Sequence, residues 1–418
     1  MKQDLNSSKL FTRDFTLVVI GQVISLFGNA ILRFALPLYL LRLTGSSTLF
    51  GTVTACSFIP MILLSLVGGV LADRINKRNI MVILDFCTAA LITIFCLSMG
   101  KLPVVPLFIV FLMILYGISG TYQPAVQASV PALVRQEKLM EGNAVINFVN
   151  TLSGLTGPVI GGILFGIWGI YPILIISIAC FTFSAIMEIF IVIPYQKRPA
   201  QKGLLSVAKS DLSESWRFTR DRKPAFFSVV AALAAFNLVL SPAMIVGIPV
   251  MVVNILGMDD FSLGLAQGVM GLGGLAGGLA AGPLASLIPV RRSYWLLLTC
   301  ALSSVLMGAA LLPGLPALAG YLIILAGSFT AMGASTLFTI QISTVVQQQT
   351  PAHLVGKIMA AIISVSMCTQ PLGQAVYGLL FDLLSGVPFL VMFGAGAAAL
   401  AISLYSKKAF IKLEDVSR

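Results

Sequence analysis

A chain of 418 residues that is 58% hydrophobic and only 10% charged, with a mean hydropathy of +1.00, lies far from the roughly 25% charge of an ordinary soluble domain and is excluded from that class. With a single histidine, His353, and no G-x-x-x-x-G-K-[ST] segment, it offers no catalytic triad, zinc cluster or P-loop, so neither an enzyme nor a bound metal or cofactor is expected. The net charge of +11 suggests nucleic acid until its distribution along the chain is considered.

Residues 1–13 are polar, and the apolar run after them is too long for a signal-peptide core, so it is expected to stay as the first span. Cutting the chain at its polar clusters leaves about twelve stretches of spanning length, among them Phe15 to Leu43, Leu49 to Ala72, Ile80 to Met99 and Val104 to Ser119. With the N-terminus in the cytoplasm, inner segments hold 23 of the 26 Lys and Arg. Only Arg42 and Lys101 fall outside, and Arg33 lies within a span. This positive-inside asymmetry places both termini in the cytoplasm and removes any need for nucleic acid as a partner. The lipid bilayer is the partner it implies. Cys56, Cys87, Cys96, Cys180, Cys300 and Cys368 all lie in apolar runs and are expected to be small buried hydrophobes.

Arg33 stands about 27 Å along the first span from Phe15, in the outer third of a core about 30 Å thick. It is expected either to snorkel outward or to pair with Asp259, Asp260 or Asp382. Asp85 lies roughly 8 Å into the third span and Glu188 about 9 Å from the inner end of the sixth. They are the candidate proton sites, although neither reaches the midplane, and Glu188 has the alternative of meeting Lys197 or Arg198 at the surface.

The polar stretch from Tyr195 to Pro224 divides the chain into residues 1–194, a cytoplasmic linker at 195–224, and residues 225–418, with about six spans on each side. The linker carries Asp211, Glu214, Trp216 and Phe218, which suit either a short amphipathic helix on the inner surface or a solvated segment near anionic lipid. Pro37, Gly45, Gly51, Gly69 and Arg78 recur as Pro249, Gly257, Gly264, Gly282 and Arg291 at nearly the same spacings, and Pro158 recurs as Pro371. Two similar bundles rocking about a shared solute site are expected.

Between the second and third spans the sequence reads Gly68-Gly69-Val70-Leu71-Ala72-Asp73-Arg74-Ile75-Asn76-Lys77-Arg78. It resembles G-x-x-x-D-R-x-G-R-R, the signature of the major facilitator superfamily. The resemblance implies a conformational switch made of Gly69, Asp73, Arg74, Lys77 and Arg78, with Gly69 allowing close helix approach and Asp73 latching one state. Asn76, at the usual Gly position, is expected to keep the tight turn through positive φ. In the second half Ser286 stands in place of the Asp, beside Arg291 and Arg292. The fifth span contains Gly154, Gly157, Pro158, Gly161 and Gly162, similar to the exporter motif G-x-x-x-G-P-x-x-G-G of the same superfamily. Asn143, Asn147, Asn150, Gly154, Gly157 and Gly161 share one helical face. The polar part of that face suits an inward cavity. The flat part is expected to pack against Gly264, Gly268, Gly271, Gly274 and Gly278.

With Pro131 placed in the loop after the fourth span and Glu214 to Phe218 before the seventh, the chain is similar to the drug-efflux branch that includes macrolide, enterobactin and lysophospholipid carriers. One departure is Leu115-Tyr116-Gly117-Ile118-Ser119 where many proton-coupled exporters have L-x-x-x-R. The resemblance implies an all-α membrane protein with about twelve helices in two pseudo-symmetric six-helix bundles. It also implies a monomer in the cytoplasmic membrane of a bacterium, exporting a drug-like amphipathic molecule by alternating access as an antiporter, with protons as candidate coupling ion. A polar, mostly uncharged cavity is expected from Asn29, Arg33, Asn147, Asn150, Asn237, Ser241 and Gln370. The alternatives are a lysophospholipid or siderophore transporter and, in another class, a non-transporting receptor or scaffold.

Overall fold

In a bilayer every backbone N–H and C=O must be satisfied within the protein, which makes long helices the natural outcome of these apolar runs. The computed structural model describes residues 10–194, 225–285, 289–350 and 354–415, without strands among them. The side chain of Asp73, the linker, Ser286 and His353 lie outside the described residues.

The first six long helices are α1 (Arg13–Thr44), α2 (Ser47–Arg74), α3 (Lys77–Ser98), α4 (Val104–Leu133), α5 (Leu139–Trp168) and α6 (Ile170–Ile189). After the linker, α7 (Ala225–Ile245) leads through Gly247–Pro249 into a π-helical segment, Val250–Ile255. Next come α8 (Asp260–Ala285), α9 (Tyr294–Ala309), α10 (Ala317–Gln349), α11 (Val355–Leu383) and α12 (Phe389–Asp415). Among the described residues ten helices are long and apolar enough to cross a membrane, and Tyr294–Ala309 is a shorter apolar helix.

Several expectations shift once the helices are seen. α4 does not stop near Ser119 but continues to Leu133, so Pro131 sits inside its last turn and not in a loop; a proline there forfeits one backbone bond near an end that frays anyway. Asn76 has φ −60°, not a positive φ. Its Oδ1 accepts from the Arg78 backbone N–H at 3.1 Å, so it serves as the N-cap of α3. Only Cys300 among the six cysteines is buried, while Cys87 and Cys368 are exposed; an apolar side chain facing lipid has no need of protein cover. Two glycines of the sequence repeat do match in conformation, Gly45 at φ 65° and Gly257 at φ 64°, each ending a helical run.

By packing, the chain forms two compact units, one of Met1–Leu40 with Cys56–Gln201, the other of Leu41–Ala55 with Lys202–Arg418. The first has an apolar core at the end where α1 starts, built from Phe15, Val18, Met81, Val126, Val130 and Ile191. The second is centred on Leu297, Cys300, Phe338, Ile342 and Val346. It also holds the turn between α1 and α2. There Asp382 on α11 accepts from the backbone N–H groups of Ser47 and Thr48 and from the Ser46 hydroxyl, each at 2.9 Å. Arg42 pairs with Asp260 at 2.9 Å and donates to the Met258 carbonyl.

Candidate solute and ion site

Gln22, Ser25, Asn29 and Arg33 follow one another along α1 at intervals of three and four residues, which puts them on one face. Each finds a different neighbour in the first unit. Gln22 Nε2 donates to the Tyr122 hydroxyl at 2.9 Å. The Ser25 hydroxyl donates to Asp85 Oδ1 at 3.1 Å. Asn29 Nδ2 donates to Ser119 Oγ at 2.7 Å. The Arg33 guanidinium lies 3.8 Å from the centre of the Tyr116 ring and directs Nη2 at Met61 Sδ, 3.3 Å away.

Arg33 is half-buried, and none of the acids proposed for it is its partner here. Asp260 belongs to Arg42 and Asp382 to the α2 N-terminus. Asp259, in the loop before α8, is held below the usual carboxylate range first by the Ser262 side chain and then by its backbone N–H. The cation–π geometry suits Arg33 because a guanidinium is flat and weakly hydrated, so it can rest on an aromatic face where carboxylates are absent. Ser119 occupies the α4 position where L-x-x-x-R would place an arginine, and Arg33 brings a cation to the same helix from α1.

Lower on the same stripe is a fully enclosed polar group. Glu188 has no exposed surface, contrary to an encounter with Lys197 or Arg198 at the surface, and Asp85 is 2% exposed. The Tyr122 hydroxyl donates to Glu188 Oε1 at 2.7 Å, while Ser184 donates to the Gly21 carbonyl. A methyl added at Gly21 would already touch Glu188 Oε1 and Ser184 Oγ, at 3.4 and 3.5 Å, so this glycine sets how near α1 comes to the carboxyl. Buried and without a hydrogen-bond partner among the described residues are Gln22 Oε1, Asp85 Oδ2 and Glu188 Oε2, together with Asn29 Oδ1 and Arg33 Nε higher up. Gln22, Ser25, Tyr116 and Tyr122 escaped the sequence reading. The three-and-four spacing on α1 was a signal for two of them.

On α5 the shared face grades from exposed Asn143 and Asn147 through half-buried Asn150 to buried Gly157 and Gly161. Its flat part meets α1. A Cβ at Gly157 would run into the Ala30 side chain, and one at Gly161 would come within 2.9 Å of Phe34. Gly154 is open, Gly162 is buried and Pro158 lies inside the helix. On α8 the tight positions are Gly273 and Gly277, set against the backbones of Phe329 and Gly333 on α10; the spacing showed small faces but not their partners.

In the switch segment the close approach is made by Gly68, where a Cβ would lie 2.7 Å from the Thr121 backbone on α4, whereas Gly69 has nothing within 4 Å. Arg74 is exposed, Lys77 opens α3, and Arg78 has a buried Nε without a partner among the described residues. In the second unit Asn237 donates to the Leu233 carbonyl, and Ser241 and Gln370 are half-buried. They sit on α7 and α11, joined where Thr369 bonds the Ala234 carbonyl and Gly373 meets Leu238 and Pro242.

A family model described as Major Facilitator Superfamily matches residues 18–373. The chain belongs to that superfamily. It is 25% identical over 409 residues to the enterobactin exporter EntS of Citrobacter koseri, covering 96% of this chain and 93% of that one. It is 29% identical over 177 residues to macrolide efflux protein A of Streptococcus pyogenes, a match that spans only 43% of that relative. Among solved structures, a bacterial homolog of the human lysosomal transporter Spinster superposes with a TM-score of 0.74 at 13% identity, covering 97% of this chain and 99% of that one. The nucleoside transporter NupG does so at 0.70 and 12%, covering 96% and 99%. At these identities the structures speak for the fold alone. This member of the superfamily is thus a multi-pass membrane transporter with efflux-named relatives.

Proposed function

We propose that this protein is a secondary active exporter of an amphipathic small molecule, working by alternating access with both termini in the cytoplasm of a bacterium. The observation that carries the reading is the polar stripe of α1, which ends in Arg33 stacked on Tyr116 with a buried, unpartnered Nε. Such a group offers a flat cationic surface and spare donors to a solute that also needs apolar contact. Asn147, Asn150, Asn237, Ser241 and Gln370 complete the proposed cavity. The inner hairpin from Gly69 to Arg78 supplies the proposed switch.

Within this reading a siderophore or a lysophospholipid is the second candidate, favoured by the cation at Arg33 and by the nearly full-length likeness to a protein named as an enterobactin exporter. Deleting the gene and testing for macrolide hypersensitivity beside siderophore and lysolipid retention separates the candidates. Hypersensitivity alone supports drug export, retention alone supports the second reading, and an unchanged strain contradicts both and leaves the scaffold alternative.

A further inference from the structure

We infer that Asp85 and Glu188, with Gln22 between α1 and α4, form a proton-holding site inside the first unit. Both carboxyls and Gln22 are at most 2% exposed, and each presents one buried oxygen to which nothing donates among the described residues. Ser184, a hydroxyl beside Asp85, gives its proton to the Gly21 carbonyl, and the three unmet acceptors call for a positive ligand, because an unmet buried acceptor is costly and an unpaired buried charge more so. The described ion pairs, Arg42 with Asp260 and Lys138 with Glu141, involve neither carboxyl.

The titratable groups facing the site are the two carboxyls, from α3 and α6, and the Tyr122 phenol from α4; α1 contributes only the neutral Gln22 and Ser25. Charges elsewhere on the surrounding helices are engaged or distant. Asp14 accepts from the Val192 backbone, Glu141 pairs with Lys138, Arg74 is exposed, and Arg78 is about two turns from Asp85 along α3. A proton taken by Asp85 Oδ2 or Glu188 Oε2 converts that oxygen from an unmet acceptor into a donor and removes one of two buried negative charges that repel each other.

The site deepens the transport reading given above, since Gln22 and Ser25 are the bonds that tie α1 to α4 and α3 and the same helix face carries Arg33. Loading or losing one proton therefore changes how the solute-facing helix is held. The ligand class is a proton, not a metal cation, and the pair is separate from the α4 arginine position that the chain lacks.

The test needs no solute, so its outcome is independent of what the protein moves. Record the infrared spectrum of the purified full-length protein at neutral pH in potassium buffer, where exposed carboxyls are ionised. The wild type should show a protonated-carboxyl carbonyl band that the Asp85→Asn/Glu188→Gln double variant loses. Tyr122→Phe, which keeps both carboxyls but removes the donor to Glu188, should retain the band. Identical spectra for wild type and double variant, or loss of the band in Tyr122→Phe, would overturn the site. Loss of the band when sodium replaces potassium at constant pH would overturn the proton as ligand.

Discussion

Arg33 is the residue on which the proposed solute chemistry turns, and its environment makes the substitution series informative. A cation over an aromatic face is worth about 0.5–2 kcal/mol depending on desolvation, and lysine keeps the charge while losing the flat donor fork. Arg33→Ala is expected to lower export at least tenfold, with Arg33→Lys between it and wild type, in transport assays at matched protein level. Full activity in Arg33→Lys would reduce the role of this residue to charge alone. Arg33, Asp85 and Glu188 were legible from the outset because ionisable residues inside apolar runs are conspicuous. It did not reveal Tyr116 or Tyr122, since a tyrosine in an apolar span reads as ordinary filling until the helix facing it is known. Glu188 was misplaced for a similar reason: α6 ends at Ile189, one residue beyond it and not about 9 Å away, and the α1 glycine and the α4 tyrosine that enclose it were not legible.

At the scale of the helix, glycines that touch a neighbour must behave differently from glycines that do not. Gly157→Ala drives a methyl into Ala30, an overpacking that costs about 1–3 kcal/mol. Gly154 faces open space, where alanine gains about 0.5–1 kcal/mol of helix propensity. Thermal unfolding of the two variants in detergent should show a clear drop in Tm for Gly157→Ala and none for Gly154→Ala. Equal midpoints would dissolve the α1–α5 contact. A second element-scale prediction concerns Asp382, which satisfies first-turn N–H groups of α2 that have no partner within their own helix. Asp382→Ala should cost roughly 1–2 kcal/mol and speed amide exchange at Ser47 and Thr48, whereas unchanged exchange there would deny the capping role. The helices themselves were legible from their apolar runs. Their partners were not, because three-and-four spacing marks a small face without saying which helix fills it, and nothing in the α5 sequence pointed to Ala30 and Phe34 of α1.

For the whole molecule, superfamily membership makes it a transporter, and the proposed switch hairpin bears on how such a molecule changes state. Asp73→Asn is expected to arrest transport while leaving expression and insertion near wild type, because the proposed latch biases a conformation and does not hold the fold; loss of the protein from the membrane would make Asp73 a folding residue instead. If the protein moves an amphipathic solute past the α1 stripe, as proposed, flux of a labelled macrolide and of a labelled siderophore across liposomes carrying the purified protein will show it, with Arg33→Ala protein as the control. Wild type is expected to accelerate movement of one of the two, and the variant to stay near background. Background rates for both solutes with correctly inserted wild-type protein, or equal acceleration by Arg33→Ala, would contradict it.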